Sequence, residues 1–248
     1  MIEVQHISKK FGDRVVLNDV SMTFIQGNTN LVIGGSGNGK TVLMKCMIGL
    51  LEVDQGNILY DQRNFTVMDF KERKPVRQEI GMVFQGGALF DSMDVEENVI
   101  FPMSMFTSWS DAEKVERANF CLQKVNLPNA NRLKISELSG GMRKRVAIAR
   151  AIALKPKYLF CDEPNSGLDP KTSHVIDELL KEITDEFQIT TIINTHDMNS
   201  VVEIGERIFF INKGQKAWEG SLDDVLQTDN QELNDFIFSS KLMKGLRK

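Results

Sequence analysis

The sequence predicts an α/β protein built on a mostly parallel sheet, with an antiparallel β layer at the N-terminal end and an inserted helical subdomain. Three observations predict it. Short apolar runs alternate with helix-patterned stretches along most of the chain, as in sheets covered by helices on both faces. The opening third instead packs several short strand candidates around turn signals. The stretch between Ala88 and Leu138 carries little strand signal at all. At 248 residues, 42% hydrophobic and 26% charged, the chain fits one large soluble domain or two small ones.

In order, Ile2-Val4, Val15-Leu17, Val20-Phe24 and Asn57-Tyr60 read as the strands of the N-terminal layer. They are set around turns at Phe11-Gly12-Asp13 and Gln26-Gly27-Asn28. Asn30-Gly34, Gly81-Gln85, Tyr158-Asp162, Thr190-Thr195 and Arg207-Ile211 are short apolar runs, the pattern of strands buried on both faces. Helices are expected at Lys40-Ile48, Ser110-Val125, Gly140-Leu154, Lys171-Phe187 and Met198-Glu203. In the third of these, Met142, Val146, Ala149 and Ala153 recur at helical spacing and form one apolar stripe. Lys71-Glu72-Arg73-Lys74 reads as a charged loop before Pro75, and Arg143-Lys144-Arg145 as a solvated helix face. Asp223-Lys248 reads as a surface helix with a frayed, basic end.

Composition narrows the function. A formal charge of −4 and a pI near 5.5 argue against binding of nucleic acid through bulk charge. No apolar stretch is long enough to span a bilayer, and the N-terminal MIEVQHISKKF lacks the apolar core of a signal peptide. The three cysteines, Cys46, Cys121 and Cys161, have no metal-type spacing and read as small buried hydrophobes in a reducing compartment.

Gly34-Gly35-Ser36-Gly37-Asn38-Gly39-Lys40-Thr41 fits the phosphate-loop pattern GxxxxGK[ST] between a strand and a helix. Its chemistry explains the spacing. Glycines let backbone N–H groups turn inward around phosphate oxygens, where side chains would collide. The helix N-terminus adds partial positive charge on the same side. Lys40 brings a full charge to the β- and γ-phosphates, and the Thr41 hydroxyl can ligate Mg²⁺. Tyr158-Leu159-Phe160-Cys161-Asp162-Glu163 is an apolar strand ending in two carboxylates. In a phosphate-loop protein the first, Asp162, sits beside Thr41 and holds Mg²⁺, and Glu163 is placed to orient or deprotonate a water. Between them lies Leu138-Ser139-Gly140-Gly141-Met142. Ser139 suits an N-cap, but two glycines in a helix's first turn cost roughly 0.8–1.0 kcal/mol each against Ala. That cost makes sense where bare N–H groups must approach a phosphate.

These residues, in this order, resemble the ATP-binding cassette (ABC) ATPases, from Ile2 to about Gln227. The carriers are the phosphate loop, Gln85, LSGGM, Cys161-Asp162-Glu163, Ser166-Gly167-Leu168-Asp169 and His196. The resemblance implies a phosphate-loop (RecA-like) core at about 1–87 and 155–226, a helical subdomain at about 88–154 and a C-terminal tail at about 227–248, together one ATP-binding domain. Phe11 matches the aromatic that stacks on adenine, with a core phenylalanine as the alternative. Gln85 matches the glutamine that senses Mg²⁺ and the attacking water, and His196 the histidine that contacts the γ-phosphate. Asp169 matches the loop that speaks across the dimer interface. Ser139, Gly140 and Gly141 would complete the ATP site of the other protomer, so two copies close head-to-tail around two ATPs. Catalysis would then fall to Lys40, Gln85, Glu163 and His196.

A finer similarity is to the Mla/Mce-type phospholipid-transport ATPases of bacteria, carried by Val83 to Pro102, by Ser139 to Arg145 and by Ala149 to Leu154. Met142 stands in the place of the wider family's commoner glutamine. Gly35 and Asn38 depart from the usual Pro and Ser of the loop, and Asn165 from a smaller residue. This implies an ATPase at the cytoplasmic face of the inner membrane, peripheral through a separate permease, with an MCE-domain lipid-shuttle protein as a further partner and no nucleic acid. Phe90, Met93, Phe101 and Met105 then either meet a permease or pack the helical subdomain, the latter expected for at least half of them. A soluble ABC ATPase of iron–sulfur cofactor assembly, or a transporter for another substrate, are the alternatives. A chromosome clamp is excluded, because Gln85 and Leu138 stand too close for a long coiled-coil insertion.

Overall fold

A computed structural model of the chain describes residues 1–238. The basic end of the expected C-terminal helix (Lys241, Lys244, Arg247, Lys248) lies outside the described residues. The antiparallel layer comes first. Strands β1 (Ile2–Phe11) and β2 (Arg14–Phe24) form a long hairpin, and β4 (Gln55–Tyr60) and β5 (Arg63–Asn64) extend it in the order β2-β1-β4-β5. The two strands expected between Val15 and Phe24 are one, bent where Asp19 takes a left-handed backbone (φ 53°).

The main sheet contains β3 (Thr29–Ile33), β6 (Ile80–Val83), β7 (Tyr158–Asp162), β8 (Thr190–Thr195), β9 (Arg207–Asn212) and β10 (Gln215–Gly220), in the order β10-β9-β3-β8-β7-β6. Neighbours pair in parallel except β10, an antiparallel edge strand that the sequence reading missed. Its polar, half-exposed residues lack the apolar run that marks the others.

Period-two alternation divides this sheet between two cores. Leu31, Ile33, Leu159, Cys161, Ile193, Ile208 and Phe210 pack with the helices α3 (Val95–Phe106), α4 (Asp111–Lys124), α5 (Gly140–Ala151) and α6 (Pro170–Phe187). On the opposite face, Val32, Tyr158, Phe160, Ile192, Phe209 and Ile211 pack with the antiparallel layer and α1 (Lys40–Met47). All three cysteines are buried and unpaired, as expected of small hydrophobes.

The expected charged loop at Lys71–Lys74 is instead a helix, α2 (Phe70–Gln78), with Pro75 inside it. Asp69 accepts from the N–H groups of Lys71 and Glu72 while Glu72 accepts from Asp69 N–H, a reciprocal cap that offsets the bond Pro75 cannot make. The same device starts α3, where Asp94 and Glu97 exchange bonds. Helix α7 (Met198–Ile204) follows β8, and the chain continues through α8 (Leu222–Gln227) to α9 (Gln231–Ile237).

Asn98 fixes the segment ahead of α3. Its buried amide donates to the carbonyls of Phe90 (3.1 Å) and Asp94 (2.9 Å) and accepts from Phe90 N–H (2.9 Å). Asn98→Ala leaves these buried groups unpaired and should destabilise the fold by about 1–3 kcal/mol. Chemical denaturation measures this, and an unchanged midpoint would contradict it.

Candidate active site

The loop after β3 begins at Gly34 with φ 147°. A Cβ there would stand 2.2 Å from the carbonyl oxygen of Ile211, so the first glycine is required by close backbone approach as well as by conformation. Lys40, at the start of α1, is only 7% exposed. Its ammonium donates to the carbonyls of Gly34 (2.7 Å) and Gly35 (3.3 Å) and lies 3.8 Å from a Glu163 oxygen. Burial lowers its pKa, and the nearby carboxylates of Glu163 and Asp162 oppose that only in part. A cation so poorly compensated favours an anionic ligand. Asn38, unusual at its position, donates to Asn212 Oδ1 (3.2 Å) and to the Ile211 carbonyl (3.4 Å), tying the loop to the β9–β10 turn.

Asp162 ends β7 buried, and accepts from the Thr41 hydroxyl (3.2 Å) and the Asn194 amide (3.0 Å). Parallel pairing places Asn194 directly opposite it on β8. The sequence reading did not name Asn194, and the available signal was a polar residue near the end of an otherwise apolar strand. Glu163 takes a left-handed backbone (φ 49°), a strained conformation for a non-glycine residue. Its N–H donates to the Asn194 carbonyl (3.0 Å), and its Oε2 lies 2.7 Å from His196 Nδ1. Gln85 donates to the Ser166 hydroxyl (3.2 Å).

Lys144 corrects the reading of Arg143-Lys144-Arg145 as a solvated face. It is buried, donates to the carbonyl of Gln85 and reaches that of Glu163 at 3.5 Å. Arg145 and Arg150 likewise spend their guanidinium groups on the carbonyls of Asn126, Gly87 and Ala88. Lys144, Arg145 and Arg150 therefore brace loops, and of the Arg143-Lys144-Arg145 run Arg143 alone is exposed as expected.

One cleft of about 860 Å³ gathers Phe11, Gly35 through Thr41, Gln85, Glu163 and His196. Phe11 is 46% exposed at its mouth, which disposes of the core-phenylalanine alternative, and Lys9 lies over its ring at 5.6 Å. Gly34 and Asp162 do not line this cleft but bond to residues that do, Lys40 and Thr41. Ser139, Gly140, Gly141 and Asp169 do not line it. Ser139 caps α5 by accepting from Met142 N–H, and Asp169 caps α6 by accepting from Thr172. Gly141 is required within the chain too, since a Cβ there would meet Thr172 at 2.6 Å. Another cleft of about 750 Å³, beside Trp109, Phe120 and Phe187, contains none of the site residues.

The donor set fits Mg²⁺. The Thr41 hydroxyl and Asp162 carboxylate put hard oxygens side by side. No cluster of three or more His, Cys, Asp or Glu among the described residues makes a cage of its own.

Residues 17–166 match the family described as ABC transporter. The methionine import ATP-binding protein MetN of Campylobacter jejuni is 34% identical over 98% of this chain and 77% of its own length. The intermembrane phospholipid transport system ATP-binding protein MlaF of Haemophilus influenzae is 35% identical over 96% of this chain and 90% of its own. The glutamine transport ATP-binding protein GlnQ of Escherichia coli is 36% identical, with coverage of 96% and 98%. Among solved structures, a dimeric bacterial ABC transporter cassette superposes with a TM-score of 0.82 at 32% identity, covering 90% of this chain and 99% of that one. The same cassette has been solved in a post-hydrolysis state with ADP and Pi.

The two loop glycines separate strain from collision. Gly34→Ala forces a Cβ against a backbone carbonyl at a left-handed angle and should cost about 2–4 kcal/mol. Gly37→Ala, whose Cβ would meet nothing within 4 Å, should cost about 1 kcal/mol. Thermal or denaturant unfolding of both variants tests this, and equal losses would contradict it.

Proposed function

The chain belongs to the ABC transporter family, and on that premise we propose that it energises a phospholipid transporter, two copies of it closing on ATP beneath a separate membrane permease. Its own activity is hydrolysis of ATP to ADP and phosphate. The observation that carries the reading is the Glu163 carboxylate, held 2.7 Å from His196 and 3.8 Å from Lys40 inside the phosphate-loop cleft.

Lys40 and the loop amides hold the β- and γ-phosphates, and Phe11 stacks on the base. Glu163 takes a proton from the attacking water. His196 has its Nδ1 committed to Glu163, so Nε2 is the ring nitrogen that meets the γ-phosphate. Thr41, Asp162 and Gln85 would hold Mg²⁺, which when bound neutralises charge on the phosphate oxygens. The remaining donors come from Ser139, Gly140 and Gly141 of the second copy. Their place outside the cleft of their own chain is what a head-to-tail pair requires.

Exposed apolar side chains support the permease partner. Phe70, with Arg77 over its ring, leads through Gln78, which donates to the Phe106 carbonyl, to the exposed Met105 and Phe106. Phe90 and Met105, expected to be divided between subdomain packing and a partner, are both exposed, whereas Met93 and Phe101 are half-buried. Among the described residues no helix is long and apolar enough to cross a membrane. That fits a chain carried at the cytoplasmic face of the membrane by its permease. Phospholipid is favoured by the Val83-to-Pro102 segment and Met142. Amino-acid import is the second reading, because the identities to MetN (34%) and GlnQ (36%) bracket the 35% to MlaF.

Glu163→Gln should keep ATP affinity and cut turnover by roughly 10²–10⁴, the weight of a general base. Hydrolysis at the wild-type rate would sink that role. Affinity capture from detergent-solubilised native membranes should recover a multi-pass permease together with an MCE-domain protein. A permease recovered with an amino-acid-binding protein would replace the lipid assignment.

A further inference from the structure

The loop from Glu163 to Asp169 is fastened to the two helices behind it by three polar side chains that the chemistry above does not use, two of them buried and Asn165 half-buried. Asn165 lies two residues after Glu163, Ser200 four residues after His196, and Asp177 on α6 between them. The Asn165 amide donates to the Ser200 hydroxyl at 3.2 Å, and that hydroxyl donates to Asp177 Oδ2 at 2.7 Å. Asp177 and Ser200 are each 1% exposed.

Two atoms of this cluster, Asn165 Oδ1 and Asp177 Oδ1, are buried oxygens without a donor. The Asn165 side chain is within hydrogen-bonding reach of the Asp177 carboxyl. Both oxygens accept only, so a bond between them needs a hydrogen of its own: the Ser200 hydrogen is committed to Oδ2, and the amide hydrogens of Asn165 lie on its nitrogen. A proton on Asp177 Oδ1 supplies it, and both buried oxygens then have a partner.

We infer that Asn165, Ser200 and Asp177 form a closed, proton-containing hydrogen-bond ring that positions the Glu163–Asp169 loop against the helix following His196. These are positioning residues and touch neither nucleotide nor water. The inference rests on the assignment of Glu163 and His196 given above. Removing the proton breaks the ring at a definite place. The Asn165 amide must turn to donate to the carboxylate, which sets its oxygen against a serine oxygen whose hydrogen is already committed.

The surroundings favour the protonated form. Burial pushes Asp177 up to about 6, reinforced by the negative charges of Glu203 and Asp197 and opposed by the hydrogen bonds that Ser200 and, in the ionised form, the turned Asn165 amide donate to the carboxylate. His174 on α6, which bonds Glu203 at 2.8 Å, and the Cys161 thiol on β7 are the other titratable groups in its field. The sign follows from linkage. A folded-state value raised above the ordinary 3.8 makes the proton's contribution complete below that pH and lost as the pH rises through about 6.

The test is steady-state Mg-ATP hydrolysis by the full chain from pH 5.5 to 8, with thermal unfolding recorded over the same range and down to pH 4. Asp177→Asn keeps the ring without a titrating group, its amide donating to Asn165 and its oxygen accepting from Ser200. It should hold kcat at pH 7.5 at or above wild type, and should remove the wild-type inflection near pH 6 from both the rate and the melting profile. Ser200→Ala and Asn165→Ala should each lower kcat about three- to tenfold with KM within about twofold, the worth of one hydrogen bond. The double variant should be no worse than the poorer single, because the ring acts as a unit. Unchanged kcat in both singles, losses that multiply in the double, or an inflection that survives in Asp177→Asn would each overturn the ring. Glu163→Gln run alongside separates the failures, since wild-type hydrolysis there removes the assignment of Glu163 and says nothing against the three ring results.

Discussion

A positive charge taken out of water organises the catalytic end of this molecule. Lys40 is buried at the mouth of the sheet, with two loop carbonyls and one carboxylate around its ammonium. Holding it there requires the loop to fold back over the end of β3, which requires Gly34 to pass against the Ile211 carbonyl. It also requires a carboxylate at the right distance. Glu163 reaches it only through a left-handed backbone, fixed by the Asn194 carbonyl one strand away. Strand order therefore determines the chemistry: β3, β8 and β7 lie side by side, and Lys40, His196, Asp162 and Glu163 emerge from their ends.

The helices answer to the same end of the sheet. Lys144 reaches from α5 to the carbonyls of Gln85 and Glu163, so the segment proposed to meet a permease and the segment that carries Glu163 share one buried cation. Asn98 fixes the start of α3 to the Phe90 loop, next to Gln85 in sequence. Such buried polar contacts are costly to break singly, and they tie the helical segment to the loop that carries Glu163. The glycines after Ser139 serve twice. Gly141 makes room for Thr172 within the chain, while the first turn of α5 is left with little side chain to obstruct a second copy.

Much of this was legible in the sequence because its signals are local. The phosphate loop, the apolar strand ending in Asp162-Glu163 and the Ser139-Gly140-Gly141 helix start each lie within a few residues. The parallel strands announced themselves by apolar runs. Where the reading failed, the deciding contacts were long-range or the local signal was outweighed. Lys144 looked like part of a solvated basic face, because nothing in its neighbourhood shows the two carbonyls that bury it. Asn165 had no interpretation until Ser200 and Asp177 were seen behind it. Helix α2 was hidden by Pro75, although Asp69 and Glu72 carried its capping signature. Strand β10 was hidden by an edge position that asks for no apolar run.

In the proposed head-to-tail pair each chain holds parts of two different sites, its own phosphate loop and a helix start that serves the other copy. Ser139→Arg tests it most directly, because Ser139 lies outside the cleft of its own chain, and ATP affinity and hydrolysis can be measured on one preparation. ATP affinity should stay close to wild type with hydrolysis reduced by two orders of magnitude or more, on the order of the loss when a transition-state donor is removed. Hydrolysis at the wild-type rate by this variant would contradict it.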